Sequence, residues 1–211
     1  MSQSRGPEPG ELELAPNAPP PARARRLAQW LLRASGWQLV GAAPDVPRCV
    51  IIFAPHTSNW DFPLLLAVRF AFGRPVAYLA KSSLFRFPFE RLLRSTGALA
   101  VDRSERHALV ERLVAAFGER DQLWLAMSPE GTRARTDHWK SGFYHVAREA
   151  GVPLLLAFID AERRECGLGE LFELSGDMEG DMARLRAFYA TKKGIRPERT
   201  SDVRLLPPSD E

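Results

Sequence analysis

The sequence predicts a single α/β domain, in which helices flank a central, mostly buried sheet and an amphipathic helix precedes it. Short apolar segments of strand length alternate with helix-length segments from residue 48 to residue 192. Hydrophobic residues make up 45% of the 211 residues, which is enough to form a core. A chain of this length fits one domain, because domains usually contain about 100–200 residues.

The N-terminal region divides into two parts. Residues 1–22 are rich in Pro, Gly and Glu, so we expect a disordered tail. Residues 23–40 predict an amphipathic helix, because Leu27, Trp30, Leu31 and Trp37 recur at helical intervals among arginines. Arginine and tryptophan on such a helix suit a membrane interface. An ordinary helix packed on its own domain explains the pattern equally well.

Residues 45–195 form the predicted domain, and residues 196–211 a polar C-terminal tail. Strands are predicted over residues 49–54, 76–80, 98–101, 122–127 and 153–159. Helices are predicted over residues 60–72, 85–95, 105–117, 143–150 and 181–192. The order of the strands does not follow from these patterns.

The charged residues indicate an anionic partner. The net charge is +3, and lysine occurs only at Lys81, Lys140, Lys192 and Lys193, so arginine dominates. Arginine binds phosphate in a bidentate fork, which fits phospholipids or coenzyme phosphates. An arginine-rich codon usage would produce the same composition. We expect no nucleic-acid partner.

Other features favour a cytoplasmic protein at the inner face of the cell membrane. The N-terminus lacks the apolar segment of a signal peptide, and no apolar run approaches the roughly 20 residues of a spanning helix. Membrane contact would then be peripheral. Cys49 and Cys166 lie far apart without metal-ligand or redox spacing, which fits a reducing compartment.

The first candidate site follows the strand predicted over residues 49–54. His56 and Asp61 are separated by four residues, and Pro63 belongs in the first turn of the next helix. The turn can bring the Asp61 carboxylate onto one imidazole nitrogen and leave the other as a proton acceptor. Alternatively, Ser58 and Asp61 have the spacing of a capping box, and Asp61 then only starts the helix.

The second candidate site is the loop of residues 128–133, directly after another strand. Gly131 permits a tight turn, and Thr132 and Arg133 supply a hydroxyl and a guanidinium that can hold phosphate. Glu130 could bind an acceptor hydroxyl or anchor Arg133. An ordinary polar turn would also have this composition.

Further polar residues end two more strands. Lys81 follows one of them, and Asp102 and Arg103 follow the strand over residues 98–101. Ligands of open α/β sheets bind beyond the carboxyl ends of the strands. We therefore expect the four strand ends to converge, although Asp102 and Arg103 could equally form a surface ion pair or a helix cap.

Together these motifs resemble the glycerolipid acyltransferase superfamily, over about residues 50–159. His56 and Asp61 match its His-x4-Asp block, and Glu130 to Arg133 match its Glu-Gly-Thr-Arg block. Residues 97–103 are similar to the block between them, and Val152 with Pro153 is similar to the start of the last block.

The resemblance implies an O-acyltransferase of phospholipid biosynthesis. His56, oriented by Asp61, would deprotonate the hydroxyl of a lysophospholipid resembling 1-acyl-glycerol-3-phosphate. The hydroxyl would attack the thioester of acyl-CoA or acyl-carrier protein. Arg103, Arg133 and Lys81 would hold the acceptor phosphate, and neither a cofactor nor a metal is expected.

Departures from the family pattern concern the acceptor. Ala134 replaces a common serine, the last block has a single proline, and residues 139–145 are similar to a less-characterised bacterial branch. Another lyso-lipid, such as a lyso-amino-acid lipid, is therefore an alternative acceptor. From another class, a non-catalytic lipid-binding protein at the membrane surface is the alternative.

Overall fold

The structure is a computed structural model that describes residues 18–101 and 106–206. Its strands are β1 (Gln38–Val40), β2 (Arg48–Ala54), β3 (Ala77–Lys81), β4 (Ala98–Val101), β5 (Leu123–Met127), β6 (Leu154–Asp160) and β7 (Glu165–Phe172). Its α-helices are α1 (Ala22–Ala34), α2 (Asp61–Phe72), α3 (Glu90–Ser95), α4 (Arg106–Gly118), α5 (Gly142–Glu149) and α6 (Met178–Tyr189). Short 3₁₀ turns occur at Ser82–Leu84 and Pro197–Arg199.

Within the described residues, one sheet holds all seven strands in the order β1-β7-β6-β2-β5-β3-β4. β2 pairs in parallel with β5 and β6, and β3 pairs in parallel with β4 and β5. β7 runs antiparallel to β6, and β1 runs parallel to β7. The carboxyl ends of β2, β3, β4 and β5 therefore meet at one edge, as the sequence predicts.

Helices cover both faces of the sheet. Alternate β2 side chains belong to two different cores: Val50 and Ile52 to one, Ile51 and Phe53 to the other. The first core includes residues of α4, α5 and α6, and the second includes residues of α1 and α2. This double coverage explains why β2 is a continuous apolar run, since both of its faces are buried.

The hydroxyl of Tyr189 ties α6 to the centre of the sheet. It donates towards the carbonyl oxygens of Ile52 (3.0 Å) and Ala157 (3.1 Å). Its ring also contacts those of Trp139 and Phe188, with centroids 5.4 and 4.8 Å apart. Burial raises the pKa of Tyr189 well above its ordinary value, so the hydroxyl stays a donor.

The edge of the sheet beyond β6 differs from the prediction. The helix expected over residues 23–40 ends at Ala34, and residues 38–40 form β1 instead. β7 was not predicted. A Cβ on Gly167 would lie 2.0 Å from the Val40 carbonyl oxygen, so a glycine in β7 is what lets β1 approach.

The helix expected over residues 85–95 begins only at Glu90.

Some predicted segments lie outside the described residues. These are most of the N-terminal tail (residues 1–17), residues 102–105 and the last five residues of the C-terminal tail. Among the described helices, none combines the length and the apolarity that crossing a membrane requires.

Replacing Tyr189 by Phe should lower the free energy of unfolding by about 1 kcal/mol, the usual net contribution of one buried hydrogen bond. Tyr189→Leu should cost more, because it also removes the contacts of the ring with Trp139 and Phe188. Urea unfolding of both variants measures the difference. Equal stability of Tyr189→Phe and the parent would show that the hydroxyl does not tie α6 to the sheet.

Candidate active site

The turn between β2 and α2 is organised by one carboxylate oxygen. Asp61 Oδ2 lies 3.0 Å from His56 Nδ1 and accepts the backbone N–H groups of Thr57 (2.7 Å) and Ser58 (2.8 Å). Both expectations for Asp61 therefore hold in part. The carboxylate contacts the imidazole, and it also caps the turn that leads into α2.

The Asp61 side chain is fully buried, whereas His56 is partly exposed. Within the described part of the chain, the second oxygen, Oδ1, has no hydrogen-bond partner. A buried carboxylate interacts strongly with a cation beside it, because the local dielectric constant is low. Asp61 is thus suited to stabilise His56 when the ring is protonated.

Glu130 connects the second motif to the first. Its Oε2 accepts the backbone N–H of His56 at 2.9 Å, and its side chain is only 2% exposed. Burial raises the pKa of Glu130 to about 8; the His56 N–H opposes this increase, and the Asp61 charge adds to it. Near neutral pH Glu130 is therefore mostly a neutral acid.

A cavity of about 1570 Å³ opens at this edge of the sheet, and His56 lines it. Lys81, Gly131, Thr132 and Arg133 line the same cavity. The apolar part of its wall includes side chains of α2, β3 and α3, such as Phe62, Leu65, Leu66, Leu79, Leu92 and Leu93. The cavity therefore joins an imidazole and two cations to an apolar wall.

The structure separates Glu130 from the other predicted binding residues. It is buried behind His56 and does not line the cavity, whereas Arg133 and Lys81 are exposed at the cavity wall. Among the described residues, no ion pair joins Glu130 to Arg133. Arg103, with Asp102, lies outside the described residues.

Lys140 is a cavity residue that the sequence analysis did not select. A Cβ on Gly131 would come within 2.9 Å of the Lys140 Cε and Nζ atoms. Gly131 has a φ of 65°, so the turn and this close approach both favour glycine. The scarcity of lysine, with Lys140 inside the segment 139–145, was the only signal for it in the sequence.

The residues after α6 support the His56 turn from behind. The Thr57 hydroxyl accepts the Arg196 backbone N–H at 3.1 Å, and Gly194 packs so closely that a Cβ would lie 2.6 Å from that hydroxyl. Farther on, the backbone N–H of Trp139 donates to the Arg204 carbonyl oxygen at 2.7 Å. The chain that follows α6 therefore contacts the His56 turn and the segment after the 128–133 loop.

Comparisons with known proteins identify relatives of the chain. The profile of the family described as Acyltransferase matches residues 43–158. The 1-acyl-sn-glycerol-3-phosphate acyltransferase of Escherichia coli is 30% identical over 128 residues, which are 57% of this chain and 51% of that protein. The enzyme of the same name from Haemophilus influenzae is 31% identical over 118 residues, 53% of this chain and 47% of that protein. The chain thus spans about half the length of these curated relatives.

A solved structure shares the fold. It is the 1-acyl-sn-glycerophosphate (LPA) acyltransferase of Thermotoga maritima, which superposes with a TM-score of 0.55 at 16% identity. The match covers 81% of this chain and 76% of that one. The comparison confirms the predicted α/β domain with a central sheet flanked by helices.

The buried Glu130 predicts that stability falls as the pH rises from about 4.5 to about 8. Its pKa is about 8 in the folded chain against an ordinary 4.5, so its contribution is complete below pH 4.5 and is lost as the pH rises through 8. Glu130→Gln stays neutral and can still accept the His56 N–H. Its free energy of unfolding should therefore fall less than that of the parent between pH 5 and 8.5.

Urea unfolding at several pH values measures this effect, and the same exchange at the exposed Glu149 is the matched control. We expect the Glu149→Gln profile to follow that of the parent. Identical profiles for Glu130→Gln and the parent would contradict the raised pKa.

Proposed function

The chain belongs to the acyltransferase family, and on that premise we propose that it transfers a fatty acyl group from a thioester to a lysophospholipid hydroxyl. The acceptor is a 1-acyl-glycerol-3-phosphate-like lipid, and the product enters phospholipid biosynthesis. The observation that carries the proposal is the contact of His56 with the buried Asp61 at the wall of a cavity that also holds Lys81 and Arg133.

In the proposed reaction His56 acts as the general base. Asp61 engages Nδ1, so Nε2 is the nitrogen that takes the proton of the acceptor hydroxyl. The hydroxyl oxygen attacks the thioester carbonyl carbon, an ester C–O bond forms, and the C–S bond breaks. The imidazolium then returns the proton to the thiolate that leaves. Atoms and charge balance without a cofactor or a covalent acyl-enzyme.

The cationic residues would bind the acceptor phosphate. Lys81 ends β3, and Arg133 follows β5, so both reach the cavity from the same edge of the sheet as His56. A guanidinium can bind two phosphate oxygens at once, which sets the orientation of the acceptor. The apolar wall suits a fatty chain, because burying each methylene contributes about 0.8 kcal/mol.

Acyl-CoA and acyl-carrier protein both fit the proposed chemistry as donors. We further propose that the protein works at the cytoplasmic face of the membrane, where its acceptor resides. The Leu27, Trp30 and Leu31 side chains on α1 are about half exposed or more, while Ala28 and Leu32 pack inward. This outer face of α1 suits a peripheral contact with lipid.

Replacing His56 by Ala should lower acyl transfer by about 10²–10⁴-fold, the usual contribution of a general base. Asp61→Asn should also lower it strongly, because the charge that stabilises the imidazolium is lost. Mass spectrometry of lipid products, with CoA and carrier-protein donors and a panel of lyso-lipids, measures transfer.

His138→Ala is the matched control. His138 also lines the cavity and pairs with an aspartate, Asp137 at 2.7 Å, but that carboxylate is exposed, so we expect near-parental turnover. A folded His56→Ala variant with parental turnover would rule out the proposed base. A product from a lyso-amino-acid lipid alone would exclude the proposed acceptor.

Arg133→Lys tests the phosphate contact. The variant keeps the charge but loses the bidentate fork, so kcat/KM for the acceptor should fall about 10- to 150-fold, since one hydrogen bond to a charged group contributes roughly 1.5–3 kcal/mol. The KM of the donor should change little. Steady-state kinetics with each substrate varied in turn, beside a melting curve, gives the answer. Equal losses for donor and acceptor with a lower Tm would make Arg133 a structural residue.

A further inference from the structure

The chain from the end of β3 to the first turn of α3 exposes large apolar side chains. Leu84 is 55% exposed, Phe87 97%, Phe89 61% and Leu92 62%. We call residues 84–92 the portal segment. Single exposed apolar residues are normal, but four within nine residues form a group of the kind that marks a contact site. Phe87 in particular projects almost completely into solvent.

The portal segment is also a wall of the cavity. Leu84, Phe89 and Leu92 are exposed and line the cavity that holds His56. Leu27 and Trp30, the exposed apolar residues of α1, do not line it. The portal segment is therefore an exposed apolar surface from which a chain can pass into the cavity along apolar side chains.

Positive charge surrounds these apolar residues. Residues 81–95 contain Lys81, Arg86, Arg91 and Arg94, against one acidic residue, Glu90. Glu90 is paired with Arg94 at 3.0 Å, while Arg86 and Arg91 are exposed. Apolar side chains with arginines beside them are suited to bind an anionic bilayer. The apolar groups enter the acyl region, and the guanidiniums reach the lipid phosphates.

We propose that the portal segment inserts Phe87 into an anionic phospholipid bilayer and lets lipid acyl chains enter the cavity directly from it. The lipid-entry part rests on the proposed function, whereas the insertion does not. If an acyl chain crossed water instead, the equilibrium constant for its exposure to water would fall about fourfold for each methylene. The apolar path along Leu84, Phe89 and Leu92 avoids that loss.

A fluorescent label at position 87 tests the insertion. Cys49 and Cys166 are fully buried, so Phe87→Cys in the full chain can be labelled selectively with an environment-sensitive nitrobenzoxadiazole dye. With vesicles of equal phosphatidylglycerol and phosphatidylcholine, its emission should shift to the blue and rise. Leu171→Cys, at an exposed apolar residue of β7 away from the cavity, is the control and should show no shift. An unchanged emission at position 87 while the protein floats with the vesicles would overturn the proposal.

Vesicle flotation tests the charges and the apolar tip. Phe87→Ser should weaken binding to anionic vesicles about tenfold or more, and Arg86→Glu or Arg91→Glu at least about fivefold each. Leu171→Ser should bind like the parent. If Phe87→Ser instead abolished self-association of the parent in sedimentation and left flotation unchanged, the segment would be an interface with a second copy, and the proposal would fail.

Activity distinguishes this proposal from the proposed function. Phe87 does not line the cavity, so Phe87→Ser should keep parental turnover of a short-chain acceptor below its micelle concentration. Turnover of a long-chain acceptor embedded in vesicles should fall about tenfold. The membrane portal would be contradicted if turnover of both acceptors fell equally. It would also be contradicted if turnover fell only with carrier-protein donors while the variant still floated with the vesicles. A label shift without turnover of any acceptor would refute the proposed function and leave the insertion standing.

Discussion

The site depends on one buried carboxylate oxygen that accepts three donors. Asp61 Oδ2 holds the imidazole of His56 and two consecutive backbone N–H groups, so it fixes the path of the turn and the ring orientation together. Hydrogen bonds to a charged acceptor are stronger than neutral ones, and here two of them hold the turn that leads into α2. A spacing of four residues between His56 and Asp61 is therefore required both by the turn and by the chemistry that we propose.

Much of the fold could be predicted because the central strands are buried on both faces. β2 and β6 form apolar runs bounded by polar turns. The sequence therefore predicts both strands and the positions of the residues that follow them. β1 and β7 were not, because β1 has only three residues and glycines interrupt β7. The sequence around Gly167 does not show why a glycine is needed there. The reason is the close approach of the Val40 carbonyl oxygen, which belongs to a distant segment of the chain.

The candidate site shows the same limit. His56, Lys81 and Arg133 could be assigned to one edge because each follows a parallel strand. The burial of Glu130 could not be inferred, since its partner is a backbone N–H 74 residues away. Lys140 and the chain after α6 reach the site only through tertiary packing. Motif spacing therefore predicts which residues converge, while long-range hydrogen bonds decide which of them face the cavity and which support it.

The protonation of Glu130 matters for the proposed chemistry. A general base must be neutral before the attack and must release its proton afterwards, so its pKa should lie near the working pH. Two ionised carboxylates beside His56 would over-stabilise the imidazolium and would slow the return of the proton to the thiolate. Burial is the main cause of the raised pKa of Glu130, and the Asp61 charge adds to it, so Glu130 takes the proton. One negative charge then remains to pair with His56, while Glu130 still accepts its backbone N–H.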